Sequence, residues 1–384
     1  MNSHELLARL ISFDTTSALS NLALIQFIQD YLASYDVQST LVHDETGRKA
    51  NLYATIGPRD RGGVMLSGHT DVVPVKGQAW TTNPFELTER DGLLYGRGAC
   101  DMKGFIASCL AAVHALTQAN LHTPVHFAFS YDEEVGCLGV RRLIEMMQGL
   151  SVRPAMAIIG EPTSMRLMIG HKGKRAYRVK VTGQSAHSAY PTEGVNAVEY
   201  AAELVTEIRR VHAQFQQQGP FDSDYRVPHT TLHVGVFNGG TVLNIVPSAC
   251  QFDFEIRHLP EDEPEQILQR IQAYAEQILI PVMRATSPQA AIEFEVLSAY
   301  PGLYTAPNAE VVQFVKGLLA PNTELSKISF GTEGGLFSES LGIPAVVCGP
   351  GSILQAHKAD EYLSLEQLAA CDAMLAKLTQ VLGQ

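Results

Sequence analysis

Cysteine is sparse and scattered in this chain. Its six cysteines, Cys100, Cys109, Cys137, Cys250, Cys348 and Cys371, form no C-x-x-C pair, which excludes a zinc ribbon or a thioredoxin-like redox motif. In a chain of 384 residues that density is too low for a disulfide framework, so reduced thiols in a cytoplasmic enzyme are expected. Positive charge is also short. Lys and Arg number 28 against 40 Asp and Glu, a formal net charge of −12, which argues against nucleic acid or an anionic membrane as partner. No apolar run reads as long enough to span a bilayer, and Met1–Glu5 lacks the basic start of a secretory signal. Three catalytic motifs are missing as well. There is no phosphate loop of the G-x-x-x-x-G-K-[ST] type, no G-x-S-x-G nucleophile elbow and no H-E-x-x-H helix. Gly96-x-Gly98 lacks the third glycine of a dinucleotide fingerprint.

What is present reads as folded and composite. Hydrophobic residues make up 46% and charged residues 18%, a globular balance, and the length exceeds what one core usually serves. Short apolar strands are expected at 64–67, 125–129, 155–159 and 345–348, with helices at 5–35 (in two pieces), 103–116, 138–147 and 365–382. That alternation predicts an α/β fold: a mostly parallel sheet with helices on both faces. The middle of the chain differs. Strands at 176–181, 231–236, 250–256 and 292–296 and helices at 196–215 and 264–278 give the β-α-β-β-α-β order of a split βαβ unit. The expected organisation is therefore one discontinuous domain, 1–174 and 299–384, interrupted by an inserted α+β domain at 175–298.

The polar residues that matter follow the apolar strands. Val64–Ser67 runs into His69 and Asp71, Val125–Phe129 into Glu133 and Glu134, Ala155–Ile159 into Glu161, and Ala345–Cys348 into a glycine-rich loop that reaches His357. Ligands in open α/β sheets bind beyond the carboxyl ends of the strands, so these side chains can meet in one crevice. Asp101 joins them from a glycine-rich turn before a helix. Two histidines among several carboxylates are donors suited to zinc or another divalent transition metal, and acids packed this densely repel unless protonated or neutralised by a metal.

At these residues the sequence resembles the dinuclear-zinc metallopeptidase family that includes carboxypeptidase G, aminoacylase and succinyl-diaminopimelate desuccinylase. The shared stretches include GHTDVVP (68–74), LYGRGACDMKGF (94–105), DEE (132–134), IIGEPT (158–163), GQSAHS (183–188), TEGG (332–335) and GPGSILQAHKADEYL (349–363). The resemblance implies two divalent metal ions per subunit, Zn²⁺ or alternatively Co²⁺, held by His69, Asp101, Glu134, Glu161 and His357. It gives Asp101 the bridging role, Glu133 the general acid/base role and Asp71 the orientation of His69. A cis peptide is implied at Asp101–Met102. From the inserted domain, His187 is expected to supply an oxyanion donor across a homodimer, and Arg257 and Asn244 to contact substrate.

The broadest run of shared residues is with the acetylornithine deacetylase branch of that family. It implies hydrolysis of N2-acetyl-L-ornithine in arginine biosynthesis, with Glu333 reading the side-chain ammonium. Desuccinylase, aminoacylase or dipeptidase action on the same machinery is the near alternative. A non-catalytic metal- or amino-acid-binding protein is the distant one. The implied partner is a small N-acyl amino acid, with dimerisation through the inserted domain.

Overall fold

The computed structural model describes residues 1–383, which form two compact units. The first unit comprises Met1–Gly170, Leu303–Lys327 and the segment from Thr332 onward; the second comprises His171–Gly302 and Ile328–Gly331.

The first unit is built on a mixed, mostly parallel sheet. Its centre is four parallel strands in the spatial order Val125–Ser130, Val64–His69, Met156–Ile159, Ala345–Val347. All four are buried along their whole length, which is why they read as unbroken apolar runs rather than alternating ones. On one side the hairpin Ser39–His43 and Ala50–Ile56 adds antiparallel strands, and on the other Leu167–His171 pairs antiparallel with Ala345–Val347. Helices Ser3–Ile11, Leu22–Ala33, Gly104–Gln118 and Leu365–Leu382 supply apolar faces to a core that includes Leu6, Ile25, Phe105, Phe127 and Leu375.

One expectation needs correcting. The stretch Ala99–Gln118, which includes the non-helical Asp101 and Met102, is 20 residues long and apolar enough, by length and composition, to cross a membrane. Its apolarity serves the core instead, since 78% of its apolar window is buried inside the protein.

The second unit has the anticipated order: strand Gly173–Thr182, helix Ala197–Gln218, strands Thr231–Gly239 and Ala249–His258, helix Pro264–Tyr274, strand Ala291–Tyr300. The strands form a separate antiparallel sheet, with Thr231–Gly239 and Ala291–Tyr300 at its edges. Ala249–His258 alternates strictly between buried and partly exposed residues beyond its first position, placing Phe252, Phe254 and Ile256 against the helices.

Candidate active site

Most of the candidate side chains in the first unit follow a buried strand of the sheet. His69 ends Val64–His69, and its Nδ1 lies 2.9 Å from the main-chain oxygen of Asp71. A carbonyl only accepts, so Nδ1 carries a proton and Nε2 is turned toward Asp101. The Asp71 carboxylate stands 3.6 Å from the same Nδ1 and holds other groups as well. It accepts from the Ser17 hydroxyl at 2.7 Å and from the main-chain amides of Glu133 at 3.1 Å and Glu134 at 3.3 Å. Asp71 thus fixes the backbone of both glutamates. Just before them, Asp132 has a left-handed φ of 55° and is tied down by the Lys49 ammonium at 2.6 Å.

Asp101 sits in a tight turn that interrupts helical geometry: the Asp101–Met102 peptide is cis, and both residues have non-helical dihedrals. The helix proper therefore starts at Gly104. Glu361 holds the turn. One carboxylate oxygen accepts from the amides of Cys100 at 2.9 Å and Asp101 at 3.0 Å; the other accepts from the Gly98 amide at 3.1 Å and from Arg97 at 2.7 Å. The Arg97 guanidinium stacks 5.0 Å from the Trp80 ring and also donates to Gln78. Gln78 in turn donates to the main-chain oxygen of His357 at 2.9 Å.

The side chains converge around Asp101. One of its oxygens lies 3.1 Å from His69 Nε2 and the other 3.4 Å from His357 Nε2. Glu161 stands 3.8 Å from His69, and Glu134 stands 3.0 Å from His357. Three donor atoms from His69, Glu133 and Glu161, and three from His69, Asp101 and Glu134, each lie within 4.8 Å of one another.

The electrostatics show what this cluster lacks. Burial first, and then the neighbouring Asp101 charge, pushes Glu134 up to about 7 and Glu161 well above the carboxylate range. Glu133 is raised in the same way, by burial and then by Glu134, Glu333 and Asp101, against the opposing pull of His69. The histidines move with them. Hydrogen bonds to Asp101 and Glu134 lift His357 to about 10, and His69 rises despite its burial because Asp101 and Asp71 hold it. Asp101 alone among the acids of the cluster stays well below its usual range: burial works against the charge, but both histidines favour it. Left to itself the cluster draws in protons to compensate its negative charge. Two imidazoles and four carboxylates are N and O donors that a divalent cation satisfies with its own charge, so the residues fit such an ion.

Glu333, just before helix Gly334–Leu341, is only 2% exposed; it accepts from the Ser130 hydroxyl at 2.5 Å and is pushed up to about 7, chiefly by burial. It stands close enough to Glu133 and His69 for their charges to interact. The remaining candidates belong to the second unit. His187 is exposed, forms an isolated bridge with Ile245 and accepts from the Ala189 amide at 3.1 Å. Asn244 is exposed, and its main-chain oxygen receives the Ser188 amide at 3.2 Å. Arg257 pairs with Glu255 at 2.8 Å on the same strand.

Sequence reasoning assigned nothing to Glu361, Arg97, Gln78, Ser17 or Ser130. Two of these carried a usable signal, because Arg97 and Glu361 lie inside stretches of family resemblance.

The chain was compared with known proteins. Residues 65–381 match the model of peptidase family M20/M25/M40. An acetylornithine deacetylase of Myxococcus xanthus is 36% identical over 378 residues, covering 97% of this chain and 95% of that protein. One from Pasteurella multocida (strain Pm70) is 34% identical over 368 residues, covering 96% and 93%. Among solved structures, an M20 family metallo-carboxypeptidase from Sulfolobus solfataricus superposes with a TM-score of 0.80 at 18% identity, covering 100% of this chain and 99% of that one, a likeness of fold. Matched over most of its length by the family model and over nearly all of it by these relatives, the chain belongs to the M20/M25/M40 family of metallohydrolases.

Proposed function

We propose that this protein removes the acetyl group from N2-acetyl-L-ornithine, giving L-ornithine and acetate, as a step of arginine biosynthesis. The observation that carries the reading is the pair of near-full-length relatives, 36% and 34% identical, that bear this activity in their names. The acid–histidine cluster supports it with suitable chemistry.

In this reading His69, Asp101 and Glu161 would hold one divalent cation and His357, Asp101 and Glu134 a second. Two such ions would supply Lewis acidity and a lowered pKa for water. Glu133 performs the proton transfers. Its carboxylate takes a proton from the water that attacks the acetyl carbonyl and delivers it to the departing amine. Asp71 serves that role by holding the Glu133 amide. We assign the oxyanion donor to His187, and contacts to the substrate α-carboxylate to Arg257, whose planar fork suits a carboxylate, with Asn244 beside it in role. Glu333 receives the substrate's side-chain ammonium.

The reading extends to a homodimer formed through the second unit. Its edge strand Thr231–Gly239 carries exposed Val236 and Phe237, an apolar edge suited to self-association.

One experiment tests the whole: assay a panel of N-acyl amino acids and dipeptides before chelation, after it, and after return of Zn²⁺ or Co²⁺. Acetylornithine should show the highest kcat/KM, and activity should vanish and return with metal. A higher kcat/KM for N-succinyl-diaminopimelate, N-acetylmethionine or a dipeptide would move the assignment within the family. Zinc-loaded protein with no amide hydrolysis would reject catalysis.

A further inference from the structure

His357 is the least enclosed member of the cluster. Its side chain is 53% exposed, whereas His69 and Asp101 are 1% and 6% exposed. It also sits on a loop with a left-handed φ of 63°, far along the chain from every other cluster residue. Something other than packing must set its position.

We propose that the string Glu361–Arg97–Gln78 is a positioning device that sets His357 against Asp101. At one end Glu361 receives the Asp101 amide at 3.0 Å. Arg97 joins Glu361 to Gln78, using separate guanidinium nitrogens for each. At the other end the Gln78 amide nitrogen donates to the His357 carbonyl oxygen at 2.9 Å. The string therefore ties the backbones of the two residues that face each other across 3.4 Å. Its centre is buried. Arg97 and Glu361 are each 1% exposed, and Gln78 is further fixed by accepting from the Trp80 indole at 3.0 Å. A second tether acts beside it: both carboxylate oxygens of Asp360 receive Thr81, at 2.8 and 3.0 Å. Gln78 is the joint that reaches His357 itself.

The inference rests on the reading of the cluster as a two-cation centre, and it predicts selectivity. A cut at the Gln78 end of the string should weaken the cation that uses His357 and leave the other in place. Arg97 and Glu361 are poor places to cut, because removal of either strands a buried charge. Gln78→Glu is the sharper cut: it keeps an acceptor for Arg97 and Trp80 but has no N–H for His357.

The test is Zn²⁺ binding to the metal-free, full-length protein, by competition with a chromophoric chelator, for wild type, His357→Ala, Gln78→Glu and Gln78→Ala. Wild type should bind two equivalents, and His357→Ala should identify the class that depends on His357. Both Gln78 variants should weaken that same class by about 10- to 100-fold, the usual effect of losing a partner that orients a ligand, with the other class and the melting temperature of the metal-free protein unchanged. Unchanged affinity in both Gln78 variants, or equal weakening of both classes, overturns the positioning role. Wild-type protein that binds fewer than two equivalents overturns the two-cation reading itself.

Discussion

Glu333 poses the sharpest question about a single residue. Its carboxyl is buried, bonded to the Ser130 hydroxyl and pushed up to about 7, chiefly by burial. A substrate ammonium would favour its charged form. Glu333→Gln keeps the acceptor for Ser130 and removes only the charge. KM for acetylornithine should then rise by about 10- to 100-fold, the worth of one hydrogen bond between charged groups, while KM for N-acetylmethionine stays within about twofold. Steady-state kinetics with both substrates decide it, and equal effects on the two would reject the role. At this scale His69, Glu133, Glu134 and Glu161 were legible because they follow buried apolar strands, as His69 ends Val64–His69. The Glu361–Arg97–Gln78 string was not. Its members lie far apart in sequence, and a buried arginine reads like a surface one until the fold encloses it.

Among the elements, the strand Met156–Ile159 is packed so closely that a missing side chain is part of the site. A Cβ on Gly160 would come within 2.0 Å of the Phe105 ring, which is fully buried on helix Gly104–Gln118. Gly160→Ala should therefore destabilise the protein by about 1–3 kcal/mol. It should also lower zinc uptake, because Glu161 is the next residue. Urea denaturation and zinc stoichiometry measure both effects, and wild-type stability with full zinc would refute the argument. The elements differ in how well they could be read. The central strands announced themselves as apolar runs, and the second unit's strands as alternation. Ala50–Ile56 did not, because Asn51 interrupts it; the fold gives the Asn51 amide nitrogen an acceptor in the Gly139 carbonyl at 2.9 Å, a partner the local sequence does not reveal. Leu167–His171 was lost against Gly173–Thr182, since only Lys172 separates the two strands.

For the molecule as a whole, buried histidines make stability depend on pH in both units. In the first, burial pushes His126 down to about 4, with its Nδ1 beside the hydroxyls of Tyr53 and Thr55. In the second, burial pushes His171 down to about 4. An unfolded histidine titrates near about 6.5, so on acidification the unfolded chain takes up protons first. The stability that these residues contribute is complete above about pH 6.5 and is lost as pH falls toward 4. The raised carboxyls of the cluster act in the opposite direction, because the metal-free folded state protonates them first. A difference measurement separates the two. Urea midpoints of metal-free wild type should fall relative to His126→Gln between pH 7 and about pH 5. Parallel curves would show that His126 does not titrate in this way.

Trp80 gives the string a further property. It is the chain's one tryptophan, and its indole both donates to Gln78 and lies beneath the Arg97 guanidinium. The protein therefore contains a single indole fluorophore, selectively excitable beyond the absorption of its 13 tyrosines, on the structure that joins Asp101 to His357. Movement of the guanidinium, or a change of charge at Gln78, alters the field at that ring. The emission of the unlabelled enzyme is thus an optical gauge of one end of the site, readable during turnover.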